Sequence, residues 1–296
     1  NKIIKIANGQ GFWGDSVNAP IELVNNAKID YLTLDYLAEV TMAIMQKQFN
    51  KNPNRGYAYD FVDFIEGEMA SILEKNIKII TNAGGVNPYK CAEEIKQRTS
   101  GKMKIAVVEG DNIIDHINEY IESGISFDNL DNGNSINQIK DSICSANIYI
   151  DSFVVADALK ENPNIVLGGR ITDPGLVVGP CIHEFGWDKS HYHKLAAATV
   201  AGHIVECGAQ CTGGNHSRWW EIDSFTNIGY PIVSISENGL FDVSKNSNTG
   251  GLVNKLTVTE QLLYEMGDPK RYLSPDVTVD FTSIKLTDNK NGIVSV

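Results

Sequence analysis

At least five times in the first 170 residues, a short aliphatic run ends in a polar or glycine-bearing loop and gives way to a helical pattern. The strand runs are Lys2–Ala7, Ile29–Leu34, Ile77–Ile80, Lys104–Val108, Ile148–Ile150 and Asn164–Leu167. A helical start at Pro20 and helical periods over Asp35–Gln48, Tyr59–Lys75, Tyr89–Gln97, Ile113–Ile121 and Val154–Lys160 lie between them. This alternation selects an α/β fold with a mainly parallel, Rossmann-like sheet flanked by helices. In such folds ligands collect at the carboxyl ends of the strands. Those ends carry Gly9–Ser16, Asp35, Asn82–Asn87, Glu109–Asp111 and Arg170–Asp173. After His216 the texture changes to half-exposed alternation at Ile232–Ser236, Phe241–Val243 and Val277–Lys285, with a helix at Val258–Met266. We therefore expect an α/β domain over residues 1–216 carrying the site, and a smaller α+β region over residues 217–296.

Gly9-x-Gly11-x-x-Gly14 follows a strand and precedes a helix, the setting of a dinucleotide fingerprint, in which backbone amides approach a pyrophosphate. Phe12, Trp13 and Asp15 fit that use poorly, since they are bulky or negative where phosphate would sit. An ordinary glycine turn is the competing reading. Arg170 offers a guanidinium to a carboxylate or phosphate with Asp173 to orient it, and an internal ion pair is the alternative. Asp35 and Glu39, spaced by one helical turn, form either a carboxylate pair for acid–base work or an N-terminal complement to a helix dipole.

The densest polar stretch is Ala201–Asn215, where His203, Glu206, Cys207, Gln210, Cys211 and Thr212 lie among glycines after an Ala-rich helical run. Cys207 beside Glu206, with His203 one turn back, supplies the residue types of a nucleophile and its base. Small buried cysteines and close-approach glycines are the structural alternative. No metal is required; at most Cys207, Cys211 and His216 share one, if the glycines unwind the chain.

A net charge of −12 opposes the basic footprint of nucleic-acid and polybasic membrane binding. No apolar run approaches the ~20 residues of a membrane span. Five scattered cysteines fit a reducing compartment, so a cytoplasmic protein is expected. A start at Asn1 without methionine and a strand-like end at Gly292–Val296 lead us to expect a longer natural protein, with room for an organelle-targeting segment.

Several segments together resemble one family: Gly11-Phe-Trp-Gly-Asp15, Asp30–Glu39, Thr81–Pro88, Gly169–Asp173, Glu184–Trp187, Gly202–Gln210, Thr212–Asn215, Thr257–Tyr264 and Asp268–Asp276. The chain is similar over nearly its whole length to the acyclic terpene utilisation A family. The resemblance implies a place in gene clusters that degrade citronellol- and geraniol-type compounds through branched acyl-CoA thioesters.

With that context, we expect an enzyme acting on a branched acyl-CoA or hydroxy acid by hydrolysis, hydration or carbon–carbon cleavage. Coenzyme A enters as part of the substrate, no other cofactor is required, and a homo-oligomer is expected. Asp35, Glu39, Asn82, Glu206 and Cys207 are the catalytic candidates. Gly9, Gly11, Gly14, Gly84, Gly85, Arg170 and Asp173 are the substrate-binding ones. Arg170 would hold an anionic group, the glycine loop would face a pantetheine or diphosphate, and Asn82 with the amides of Gly84 and Gly85 would stabilise an oxyanion. Asp35 or Glu206 would move the proton. The rival readings are a non-catalytic subunit that binds a carboxylase or lyase, and a dinucleotide-dependent oxidoreductase.

Overall fold

The structure, a computed structural model, describes residues 2–296. Nine strands form one mixed sheet. Its parallel half is β1 (Ile3–Asn8), β2 (Tyr31–Leu34), β3 (Lys78–Thr81), β4 (Ile105–Val107) and β5 (Ile165–Leu167), ordered β1-β2-β3-β5-β4. Its antiparallel half is β6 (Ile232–Ser236), β7 (Phe241–Ser244), β10 (Thr287–Asn289) and β11 (Ile293–Ser295), ordered β10-β11-β7-β6 and joined to β1 through β6. The strands β8 (Tyr272–Leu273) and β9 (Thr278–Val279) form a separate small ribbon. Residues 217–296 thus contribute four strands to the same sheet.

The central strands are apolar because helices cover both faces. Adjacent side chains point to opposite faces, so Ile79 and Ile165 join one core while Ile80 and Val166 join the other. The first core packs α1 (Asn18–Asn26), α3 (Tyr59–Glu74) and α4 (Pro88–Arg98), through Leu23, Phe61, Ile65 and Cys91. The helix α2 (Glu39–Lys51) adds Met42 and Met45 to it. On the other face lie α6 (Ser152–Leu159), α7 (Gly175–Phe185), α8 (Tyr192–Val205) and α9 (Lys255–Leu263), with Val155, Cys181, Leu195 and Val258 in the core. In the antiparallel half Phe241 and Val243 are buried and alternate with half-buried Asp242 and Ser244, so the period is two.

Four expected elements differ. The alternation expected over Val277–Lys285 is a strand only at β9 and then turns into a 3-10 helix at Phe281–Ser283. The expected strand Ile148–Ile150 is reduced to a single bridge, Ile150 beside Ile171. The expected helix at Ile113–Ile121 splits into a 3-10 turn at Ile114–His116 and a short α5 (Ile117–Glu122). The helix expected from Asp35 starts four residues later, at Glu39, because the segment before it crosses the strand ends, with the Tyr36 N–H bonded to Asn82, the Leu37 carbonyl bonded to Arg170 and Ala38 extended.

One topological feature positions the site. From β3 the chain runs through α4 on one face to the edge strand β4, then returns through α6 to β5, which inserts beside β3 and leaves through α7 on the other face. Neighbouring β3 and β5 therefore send their connections to opposite sides, which opens a crevice at their carboxyl ends.

Candidate functional site

The loop after β1 packs tightly. A Cβ on Gly9 would lie 2.9 Å from Pro20 Cβ, and one on Gly11 would lie 2.7 Å from the carbonyl carbon of Cys207. These glycines let the loop reach α1 and the end of α8, whereas Gly14, at φ +104°, faces open space. The anion position of the loop is filled from within. Asp15 Oδ2 accepts the Gly11 N–H at 2.9 Å, and Oδ1 accepts the Ser16 N–H at 2.7 Å and the Tyr230 hydroxyl. A phosphate approaching here meets a carboxylate that already holds the amide.

At the ends of β2, β3 and β5 the chain assembles a cluster of acids around one arginine. Asp35 is buried, and its Oδ1 accepts from Asn82 Nδ2 at 2.6 Å and from the Leu37 N–H at 3.3 Å. Asn82 Oδ1 in turn accepts the Tyr36 N–H at 2.7 Å, so this side chain ties the crossing segment to the end of β3. The Arg170 side chain is 8% exposed; Nη1 donates to the Leu37 carbonyl at 2.7 Å and to Asp173 Oδ1 at 3.1 Å, and Nη2 to the Tyr149 hydroxyl at 2.9 Å. Its carbon sits 4.7 Å from the Tyr149 ring centroid.

Burial raises all three neighbouring acids. Asp35 is held well above the ordinary carboxylate range by desolvation and then by Asp173, against the pull of Asn82 and Arg170. Asp173 is pushed up to about 6 by burial, with Arg170 pulling down and Glu39 and Glu265 pushing up. Glu206 is raised by burial, then by Asp173 and Glu265. One cation serves several carboxyls, so the cluster retains protons where isolated acids would have lost theirs.

Glu206 closes α8. Its Oε1 lies 3.1 Å from His203 Nδ1, and its Oε2 is buried with no partner. His203 is 2% exposed, with Nε2 3.3 Å from the Leu262 carbonyl and its ring set edgewise against Tyr272 and Phe281. Burial lowers the imidazole below its usual range. At Cys207, the nucleophile candidate, burial first and Glu206 second push the thiol up, and His203 faces Glu206.

Other expectations are corrected by geometry. The amides of Gly84 and Gly85 donate to the carbonyls of Gly168 at 3.0 Å and Asn82 at 3.1 Å, and Asn82 holds Asp35, so this loop presents no oxyanion donors. Gly84 and Gly85 act by contact, since a Cβ on Gly84 would lie 2.6 Å from the Gly168 oxygen and one on Gly85 2.3 Å from Met45 Sδ. Glu39 is exposed at the start of α2 and does not pair with buried Asp35 across a helical turn. Among the weak metal candidates, Cys211 is buried with its thiol on the Gly208 carbonyl, and His216 pairs with Glu260 at 2.7 Å. Among the described residues no group of three His, Cys, Asp or Glu side chains is arranged to hold a metal.

The family model for acyclic terpene utilisation family protein AtuA matches residues 4–296. The chain belongs to this family. No curated protein and no solved structure matches it. No helix of the described residues is long and apolar enough to cross a membrane.

In the AtuA-family chain a cleft of about 230 Å³, lined by Glu39, Met42, Ser145, Asn147, Ile148, Tyr149 and Arg170, reaches the arginine of the acid cluster from solvent. A second cleft of about 380 Å³ shares Asn147 with it and continues past Asp111 and Gly85. A groove of about 620 Å³ between Tyr192 and Val296 lies away from these, along the first part of α8 and the β6–β7 turn. Two site residues, Tyr149 and Glu265, are not singled out by the sequence pattern, and Asp111 enters it only as part of a strand-end loop. Tyr149 and Asp111 belong to the two stems of a polar excursion, held by Ile113 N–H to the Ala146 carbonyl and Ile148 N–H to the Asp111 carbonyl. Asp111 Oδ2 accepts from both Asn147 Nδ2 and the Arg170 N–H. Glu265 follows α9 at φ +53°, a left-handed conformation that costs a non-glycine residue of order 1 kcal/mol or more, and its charge bears on Asp173 and Glu206.

Proposed function

We propose that the chain is an enzyme of acyclic terpene or branched acyl-CoA catabolism that acts by proton transfer on a branched acyl thioester or hydroxy acid. The observation that carries this reading is the grouping of buried Asp35 with half-buried Asp173 and Glu206 near one cation, Arg170, so that desolvation and mutual repulsion raise all three acids. Acids in such surroundings trade protons near neutral pH, which is what hydration, dehydration and carbon–carbon cleavage require. Covalent hydrolysis through Cys207 fits less well, because burial and then Glu206 push its thiol up, away from the thiolate. The 230 Å³ cleft is below the roughly 300–1,000 Å³ of whole-ligand pockets, so it takes the reacting end and leaves a coenzyme A portion outside. Apolar Met42 and Ile148 suit a branched aliphatic end.

In this reading Asp35 or Glu206 moves the proton, with Asn82 positioning Asp35. Arg170 keeps the acids from repelling one another and, at the mouth, faces the polar end of the substrate. The five free cysteines support a cytoplasmic setting. The test is turnover of branched acyl-CoA thioesters, followed by mass spectrometry. Replacing Asp35 by Asn or Glu206 by Gln should lower turnover about 10²–10⁴-fold. Activity surviving replacement of both Glu206 and Arg170 would overturn the assignment.

A second reading, a subunit that docks a carboxylase, a lyase or a second copy, is favoured by the adjacent Trp219 and Trp220, 63% and 66% exposed, with Phe225 also exposed. A stable complex lost on Trp219→Ala with Trp220→Ala, in a protein inactive toward thioesters, would favour that reading.

A further inference from the structure

The two ring nitrogens of His203 have different partners, and these fix where protons sit. The Leu262 carbonyl facing Nε2 only accepts, so Nε2 carries a hydrogen. With a neutral ring, Nδ1 is then a lone pair, and the hydrogen between it and Glu206 Oε1 belongs to Glu206. The charged alternative, an imidazolium beside a carboxylate, would bury an anion whose Oε2 has no donor. Its surroundings also oppose it: Asp173, Glu265 and Asp35 face Glu206, and Arg170 is the cation that answers them.

We propose that His203 and Glu206 act as one proton acceptor, in which Glu206 takes a proton from the substrate on Oε2 and passes its own proton from Oε1 to Nδ1 of His203. A substrate C–H or O–H bond breaks and leaves its electron pair on the substrate while the Oε2–H bond forms. The Oε1–H bond breaks as Nδ1–H forms. Glu206 is neutral before and after, and the positive charge arrives on His203, whose Nε2–H rests against the Leu262 carbonyl. Return of the proton to the product runs the same path backwards. His203 touches no substrate; it is a positioning residue that stores the proton and fixes which carboxyl oxygen is free. Gln261, whose Nε2 donates to the His203 carbonyl at 3.2 Å, and the rings of Tyr272 and Phe281 hold it in that orientation. The proposal rests on the proton-transfer reading of the site for its role in turnover.

Its test has two readouts: the pH profile of acyl-CoA turnover, whose acid limb should be lost in His203→Phe and would persist if His203 were merely structural, and the resting tautomer of His203, which needs no substrate. The full chain labelled with ¹⁵N-histidine is measured by NMR at pH 7, and the His203 signals are assigned by their loss in His203→Phe, which keeps a ring against Tyr272 and Phe281. Should that variant fail to fold, contacts from the imidazole to the Tyr272 ring give the assignment. The expected result is a protonated Nε2 and a lone-pair Nδ1, unchanged in Glu206→Gln because the new amide donates to Nδ1. An imidazolium in the resting protein would overturn the proposal, since the store would already be full. So would a hydrogen on Nδ1 with none on Nε2. Either outcome leaves the enzyme reading standing, which fails separately if turnover survives the loss of Glu206 and Arg170.

Discussion

Asp173 is the member of the acid cluster whose titration is easiest to follow. Its carboxyl is raised in the fold from 3.8 to about 6, so the folded chain binds this proton more tightly than the unfolded one. That contribution to stability is complete below about pH 4 and is lost as pH rises through about 6. Asp173→Asn should flatten the curve. Denaturant unfolding from pH 4 to 6.5 should show the wild type losing about 1–2 kcal/mol relative to the variant, a span reduced because 31% of the side chain is exposed. A wild type that gains stability over this interval would contradict the geometry. Asn82→Ala makes a different prediction: it strips the Tyr36 N–H and Asp35 of a buried partner, at a cost of about 1–3 kcal/mol at any pH.

Elements were legible where burial imposes a simple pattern. The strands β1, β2, β3 and β5 are read directly from their aliphatic runs, because both faces are covered. The helix α7 escapes notice because every residue from Gly175 to Ile182 is buried and Pro180 sits inside it, which leaves no polar face to set a period. The site was legible in the same uneven way. Arg170, Asp173, Asp35, Asn82 and Asp111 stand at strand ends, where an α/β pattern directs attention, whereas Tyr149 and Glu265 arrive through an excursion and a turn. Close helix contact is likewise invisible in sequence: a Cβ on Gly202 of α8 would lie 2.6 Å from both Cα and O of Pro174, ahead of α7. Backbone cannot swing aside as a side chain does, so Gly202→Ala should destabilise the protein by about 1–3 kcal/mol in thermal or chemical unfolding. An unchanged midpoint would mean that the two helices are free to part.

At the scale of the molecule, the parallel and antiparallel halves depend on each other along one seam. β1 pairs with β6 in five register positions, from Ile3 opposite Ser236 to Ala7 opposite Ile232. Cutting the chain after Tyr230 removes that partner and bares a buried strand edge, so the shortened protein should aggregate. Size-exclusion chromatography of residues 1–230 checks this; a well-behaved monomer would mean that the first half closes its sheet by other means. The same seam sets a timetable for synthesis. Ile3 must wait for Ser236, 233 positions later, which at ribosomal rates of roughly 5–20 residues per second is on the order of 10–50 s. Throughout that interval the first strand made has β2 on one side and an open edge on the other. The nascent chain is therefore a natural client for a chaperone that shields strand edges until the last strands emerge.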